Sequence, residues 1–343
     1  MAVSDPQKQM VRQVSRTFAL SIEQLPRALE ETVGLAYLLL RVSDLLEDHA
    51  SMSTDRKVDL LQRWAAVLVG SAPVEMLTDN LADLDSTDPE VEVAQKAGLV
   101  MQMLAALPPA AQEIIVRHVH ASTLGMARWQ QHGPFVEDEA ALDDYMHEVA
   151  GRVGYLVTEL FIWNYPALDS RKDQLMPLSR ECGLALQTVN VIRGLHKDYE
   201  RGWVFVPVNL YQQAGLTRDS LFDPANLSRS LQVVEALADK ADRHLLNGLA
   251  YISAFPSHYH GLRLALMWPF FFAVKTLALS RSNPNVILGE AKISRSDVQR
   301  IIVQTKLFGW SNRWVRGYYQ KNMRAEPDDT VYRSSEQTLD FGM

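Results

Sequence analysis

The sequence predicts an all-α fold, a helical bundle, on three observations. Apolar residues recur at three- and four-residue steps through most of the chain, and no run sustains the two-residue alternation of a half-buried strand. The third is composition: 47% apolar and 22% charged residues are ordinary for a globular protein able to bury a large core.

The elements follow in order. Residues 33–48 place Val33, Tyr37, Leu40 and Leu45 on a helical stripe. Further helices are expected at 54–69, 90–107 and 109–132. Pro108 and Pro109 mark the break before the last of these, since proline suits a first helical turn. Residues 137–163 read as one long helix stopped before Pro166, and 175–198 as another, ended by the Arg201-Gly202 turn signal. Helices at 228–253, 261–280 and 294–319 complete the set. Loops are expected at 71–73, 84–89, 133–134, 203–226 and 282–292, the segment 203–226 being long enough to contribute to function. No repeat, low-complexity tract or linker divides the chain. One domain over 1–343 is expected, with peripheral or flexible tails at about 1–14 and 320–343.

Charge and composition narrow the function classes. The net charge of −7 gives no basic field to draw nucleic acid, so any anion must be held locally, by metal ions or a few placed arginines. Cys182 is the only cysteine, which excludes an intrachain disulfide, argues against a thiolate zinc site and fits a reducing compartment. Residues 1–10 lack the apolar core of a secretory signal. The most apolar stretch, 264–279, is short for a membrane span and contains Pro269 and Lys275. A cytoplasmic, soluble monomer is expected, with peripheral membrane contact when it handles apolar molecules.

Two polar stripes carry the chemistry. Asp44 and Asp48 lie four residues apart, hence on one helical face, where like charges repel unless a cation sits between them. Mg²⁺ binds in this way, through one or two carboxylates plus substrate phosphates. The alternative is a solvated helix end, which Glu47 and His49 favour. Arg41, one turn earlier, either pairs with Asp44 or holds a diphosphate oxygen with its planar fork. The second stripe, Gln187, Asn190, Gly194 and Asp198, also shares one face; a bundle interior lined with such groups needs partners, which metal, water and phosphate oxygens supply. Two such stripes facing each other across a bundle would hold a diphosphate.

These segments, in their order along the chain, resemble the squalene and phytoene synthase family, squalene synthases above all. The resemblance runs from about Ser15 to Lys292. It takes in Ser15-Arg16-Thr17-Phe18-Ala19, the run from Arg41 to Asp48, Gly125-Met126-Ala127, the run from Tyr145 to Gly154, the run from Leu186 to Asp198, and Phe205-Val206-Pro207. The extended match around Tyr145 and the late Gly289-Glu290-Ala291-Lys292-Ile293 tilt it towards squalene synthases. The resemblance implies a single-domain isoprenoid-synthase-type helical bundle with a central apolar cavity. It implies head-to-head condensation of two prenyl diphosphates, farnesyl diphosphate first among them, through a cyclopropyl diphosphate to a squalene-type C30 hydrocarbon. Asp44 and Asp48 would bind Mg²⁺ together with Asn190 and Asp198. Tyr145 would be the catalytic tyrosine, against the plainer reading of a buried tyrosine with one hydrogen bond. Arg16, Arg41, Gln187, Asn190 and Arg193 would bind diphosphate, and Thr17, Phe18 and Asn190 would serve NADPH, where it is used to quench the last cation.

One departure matters. The family carries aspartate at both ends of its second motif, and here Gly194 stands at the first. Three readings stay open. Asn190, Gln187 and water complete the metal shell with weaker binding; the position has been altered to trap a substrate complex; or the chain keeps the prenyl pocket without catalysis. The rivals are therefore a phytoene-type enzyme using geranylgeranyl diphosphate and a non-catalytic prenyl-binding protein. Eukaryotic squalene synthases end in a membrane anchor; the polar residues after Tyr319 point instead to a soluble, bacterial-type form. Residues 267–272 read as core, the alternative being that part of them lines a prenyl tunnel. His118 and His120, two apart, cannot form a helical metal pair, and with no GxGxxG segment any NADPH would not sit on a Rossmann fold.

Overall fold

The computed structural model describes residues 6–323. The described residues form no β-strand, and helices account for 79% of the chain, which is the expected fold class. In order they are α1 (Pro6–Val14), α2 (Arg16–Ile22), α3 (Arg27–Asp48), α4 (Thr54–Leu68), α5 (Glu75–Thr78), α6 (Pro89–Gln95), α7 (Ala97–Ala105), α8 (Pro109–His132) and α9 (Glu139–Met146). There follow α10 (Arg152–Asn164), α11 (Lys172–Glu200), α12 (Val208–Gln213), α13 (Leu227–Ala254), α14 (His260–Ser280), α15 (Asn285–Leu288), α16 (Arg295–Phe308) and α17 (Asn312–Met323).

Several expectations change. The segment expected as an N-terminal tail contributes α1, with Met10, Val11 and Val14 buried. At the other end, 320–323 continue α17, and the rest of that expected tail lies outside the described residues. The expected helix 90–107 divides at Lys96 into α6 and α7. The expected helix 137–163 is interrupted by a π-helical turn at His147–Gly151. The expected 294–319 helix bends after Phe308 into α16 and α17. The expected loop 203–226 contains α12 and two 3₁₀ turns.

The chain sorts into two compact units interleaved in sequence: the residues up to Gly133 with Gly151–Met176, and Pro134–Ala150 with the residues from Pro177 onwards. The core of the first is α3, whose Leu38, Leu39 and Leu46 are fully buried, with Trp64 of α4, Ile115, Val119 and Met126 of α8, and Leu160 and Phe161 of α10. The Ser43 hydroxyl hydrogen-bonds that of Thr123 at 2.7 Å, fixing the last turns of α3 against α8.

The core of the second unit is α14. By length and composition its 21 residues could cross a membrane, which the shorter apolar stretch did not lead one to expect, yet 83% of its most apolar window is buried inside the protein. Met267, Trp268, Phe270, Phe271 and Phe272 all pack inward, as core. Trp268 donates its indole N–H to Thr305 of α16 at 2.9 Å, so even its polar atom is satisfied. Arg263, fully buried, donates to the carbonyls of Phe255 (2.7 Å) and Gly309 (3.0 Å) and to the Asn312 side chain (2.6 Å). That clamp ties α14 to the elbow between α16 and α17.

Candidate active site

In the first unit the site grows from the C-terminal half of α3. Tyr37, Arg41, Asp44 and Asp48 recur at four-, three- and four-residue steps and so form one stripe down the helix. Arg41 is 3% exposed. It donates Nη1 to Asp44 Oδ2 at 3.2 Å and Nη2 to Glu90 in the first turn of α6, while its Nε is buried with no partner. Burial works against its charge, but Asp44, Tyr37, Glu90 and Asp48 outweigh burial and hold the guanidinium charged. Its terminal nitrogens thus meet two carboxylates, and Arg41 ties Asp44 to Glu90.

Asp44 is pushed up to about 6, first by burial; Arg41 pulls it down, and Asp48 and Glu90 push it up again. Its side chain keeps 27% exposure, so solvent or a ligand reaches it, and Asp48 is exposed. Both sit in the last turns of α3, which hold no basic residue and where the helix dipole is already negative. Three carboxylates, one guanidinium and a helix C-terminus concentrate negative potential at one spot. A divalent cation relieves it, so the donor set fits Mg²⁺. Among the described residues no three His, Cys, Asp or Glu converge into a complete metal cage. A cation at this spot would need further ligands from outside these side chains.

Beside this stripe α2 begins at Ser15, whose hydroxyl caps it by accepting the Phe18 N–H at 3.2 Å. Thr17 is buried, Arg16 exposed, and the Phe18 ring stacks on Tyr37 with centroids 5.4 Å apart. The Tyr37 hydroxyl points towards Ser15 but makes no hydrogen bond of normal geometry, and burial pushes it up to about 12. Tyr37 and Glu90 are site residues that the sequence did not reveal. Tyr37 looked like one more apolar position, and Glu90 reaches Arg41 from 49 residues away.

The second unit holds the other expected residues. Tyr145, 4% exposed, closes α9 just before the π-helical turn, a rare feature frequent at functional sites. Its ring stacks on Phe205 at 4.4 Å, and Phe205 on Trp203 at 5.3 Å. The turn that carries these aromatics needs Gly202, at φ 85°, and the Trp203 N–H closes it on the Asp198 carbonyl at 2.8 Å. The Thr188 hydroxyl meets Met146 Sδ at 3.2 Å, holding α11 against α9. His244 of α13 bonds Glu181 at 2.7 Å and pairs with Asp143 at 3.5 Å, and Lys240 pairs with Asp143 at 2.6 Å.

Gln187, Asn190, Gly194 and Asp198 share the half-buried face of α11, flanked by buried Val189, Val191, Ile192 and Leu195. Asn190 donates to Gln187 Oε1 at 3.4 Å. Asp198 is 13% exposed and pairs with Arg201. It leans over Gly194: a Cβ there would lie 3.3 Å from Asp198 Oδ2. Arg193 is directed to Glu290, 3.8 Å away, which also binds Lys292 at 2.7 Å. The second stripe thus keeps one carboxylate, already paired to an arginine. His118 bonds Glu159 at 3.0 Å.

Comparison with known proteins gives the family. The family model for squalene/phytoene synthase matches residues 11–297. The Botryococcus squalene synthase of Botryococcus braunii is 28% identical over 303 residues, covering 86% of this chain; the chain spans 61% of that protein's length. The lycopaoctaene synthase of the same organism is 27% identical over 323 residues, covering 89% of this chain and 68% of that protein. The solved structure of TcSQS with a ligand superposes with a TM-score of 0.80 at 22% identity, over 97% of this chain and 92% of that one, a likeness of fold. With a family match running through both polar stripes, the chain belongs to the squalene/phytoene synthase family.

Proposed function

We propose that this chain joins two farnesyl diphosphates head to head, through a cyclopropyl diphosphate, into a squalene-type C30 hydrocarbon, with Mg²⁺ and with NADPH as reductant. The observation that carries the reading is the α3 stripe, where Asp44 is held near 6 next to Asp48 at a helix C-terminus. Such a carboxylate pair is poorly stable alone and well suited to a cation that itself holds a diphosphate. Mg²⁺, when bound, neutralises the charge that builds on the departing diphosphate. Arg41 and Glu90 keep the pair in place. Tyr145, buried and stacked on Phe205, offers its ring face to a carbocation and its hydroxyl as a proton carrier. Asn190, Gln187 and Asp198 complete the polar lining of the second stripe. For the reductant, exposed Arg16 and the Phe18 ring beside it supply a guanidinium for phosphate and an aromatic surface for stacking. The choice of farnesyl diphosphate rests on relatives named squalene synthase.

A second reading rests on one observation. With glycine at 194 and Asp198 paired to Arg201, the second stripe is weaker than the first. On that reading the chain binds prenyl diphosphates without turning them over. Purified protein incubated with Mg²⁺ and either farnesyl or geranylgeranyl diphosphate, with and without NADPH, followed by hydrocarbon extraction, separates these. Squalene from farnesyl diphosphate supports the proposal, a C40 product favours the phytoene-type enzyme, and binding with no product under any condition favours the second reading.

A further inference from the structure

The described residues expose a run of large apolar side chains at the elbow of α16 and α17. Val303 (54% exposed), Leu307 (60%), Phe308 (47%) and Trp310 (58%) lie within eight residues of one another. Val303 and Leu307 share a helical face. The Trp310 indole N–H donates to the Leu307 carbonyl at 3.2 Å, folding the ring back beside Leu307. The Phe308 ring continues the surface to Trp314, 5.7 Å away. This is not a loose segment. Arg263 locks the Gly309 carbonyl, and Gly309 sits so tightly that a Cβ would come within 2.6 Å of Met267 Cε. The elbow is built to point Trp310 outward.

Charge marks the same two helices. From Arg295 to Met323 there are six basic residues (Arg295, Arg300, Lys306, Arg313, Arg316, Lys321) against the single acid Asp297, a net of +5 in a chain whose total is −7. All six are exposed. Arg295, Arg300, Arg313, Arg316 and Lys321 make no ion pair with the described residues. Exposed aliphatic and indole side chains on a segment rich in exposed arginine and lysine are the composition of an interfacial lipid contact. Nucleic acid has no use for Val303 and Leu307, and a second copy would bring two +5 faces together.

We propose that the α16–α17 elbow is a docking face for an anionic lipid surface, with Leu307 and Trp310 entering the headgroup region and the arginines engaging lipid phosphates. The test is co-sedimentation of the full chain with vesicles of phosphatidylcholine alone or mixed with phosphatidylglycerol. We expect partition into the anionic vesicles, weakened by salt at about 0.5 M as screening shortens. The variant Leu307→Glu with Trp310→Glu, its fold checked by circular dichroism, should bind at least about tenfold more weakly. Arg313→Gln with Arg316→Gln should lose the preference for anionic over neutral vesicles. The proposal is overturned if the wild-type chain stays in the supernatant with anionic vesicles, or if the Leu307/Trp310 variant binds as well as wild type. It is equally overturned if that variant only turns a dimer into a monomer without changing vesicle binding.

Discussion

Replacing Gly194 with aspartate tests the second stripe. The added Cβ would stand 3.3 Å from Asp198 Oδ2 and 3.8 Å from its Cγ. The new carboxylate would then lie roughly 4 Å from the old one, where two charges repel by about 1–4 kcal/mol at effective dielectrics between 80 and 20. Removing glycine from a helix interior returns only a few tenths of a kcal/mol when aspartate replaces it, since aspartate is itself a weak helix former. Arg201, already paired to Asp198, offsets part of the repulsion. The metal-free variant should therefore be less stable than wild type by about 1–2 kcal/mol. A divalent cation between the carboxylates reverses the sign. The assay is thermal unfolding in chelator and in Mg²⁺, with product formation followed across a Mg²⁺ titration. We predict a larger Mg²⁺-induced rise in Tm for Gly194→Asp than for wild type. The Mg²⁺ needed for half-maximal activity should fall on the order of tenfold. Identical responses in the two proteins would refute the placement of the second site.

Three further outcomes follow from named side chains. Asp44 has a folded value near 6 against an ordinary 3.8, so its ionisation in the folded protein costs almost nothing below about pH 3; the cost accrues as pH rises through 3.8 and is complete above pH 6. Asp44→Asn should therefore match wild type at about pH 3. At pH 7.5 in chelator it should be more stable by on the order of 2 kcal/mol, while losing Mg²⁺-dependent activity; a variant less stable than wild type at pH 7.5 contradicts this. Tyr145→Phe keeps the ring stacked on Phe205 and removes only the hydroxyl, so turnover should drop about a hundredfold or more with Tm nearly unchanged. Cys182 is buried and its thiol is pushed up to about 12 by burial, so a thiol reagent should label it only after denaturation; rapid labelling of the native protein would count against the packing of α11.

What the sequence made legible follows from how local each signal is. The bounds of α8 were readable to the residue, because Pro109 sits in the first turn and Gly133, at φ 98°, ends the helix. The C-terminus of α3 was equally plain, and its start at Arg27 lies before the expected Val33: Leu29, four residues earlier and buried, continues the apolar period after Pro26. The break at Lys96 carries no proline or glycine, and nothing local announces the π-helical turn after Tyr145. In the site, Asp44, Asp48, Asn190 and Asp198 could be found by spacing along one helix each. Glu90 could not, since only the tertiary packing of α6 on α3 brings it to Arg41. The same packing gives Arg41 a carboxylate partner from outside its own helix.

The account stands on a divalent cation coupling Asp44 and Asp48 to a prenyl diphosphate. The direct measurement is calorimetric binding of a non-ionising farnesyl thiodiphosphate in Mg²⁺ and in chelator, to the wild-type chain and to Asp48→Asn. The prediction is binding at least about tenfold tighter with Mg²⁺ for wild type, a coupling of about 1.4 kcal/mol or more, and little or none for the variant. Equal affinity with and without Mg²⁺, or full coupling retained in Asp48→Asn, would contradict it.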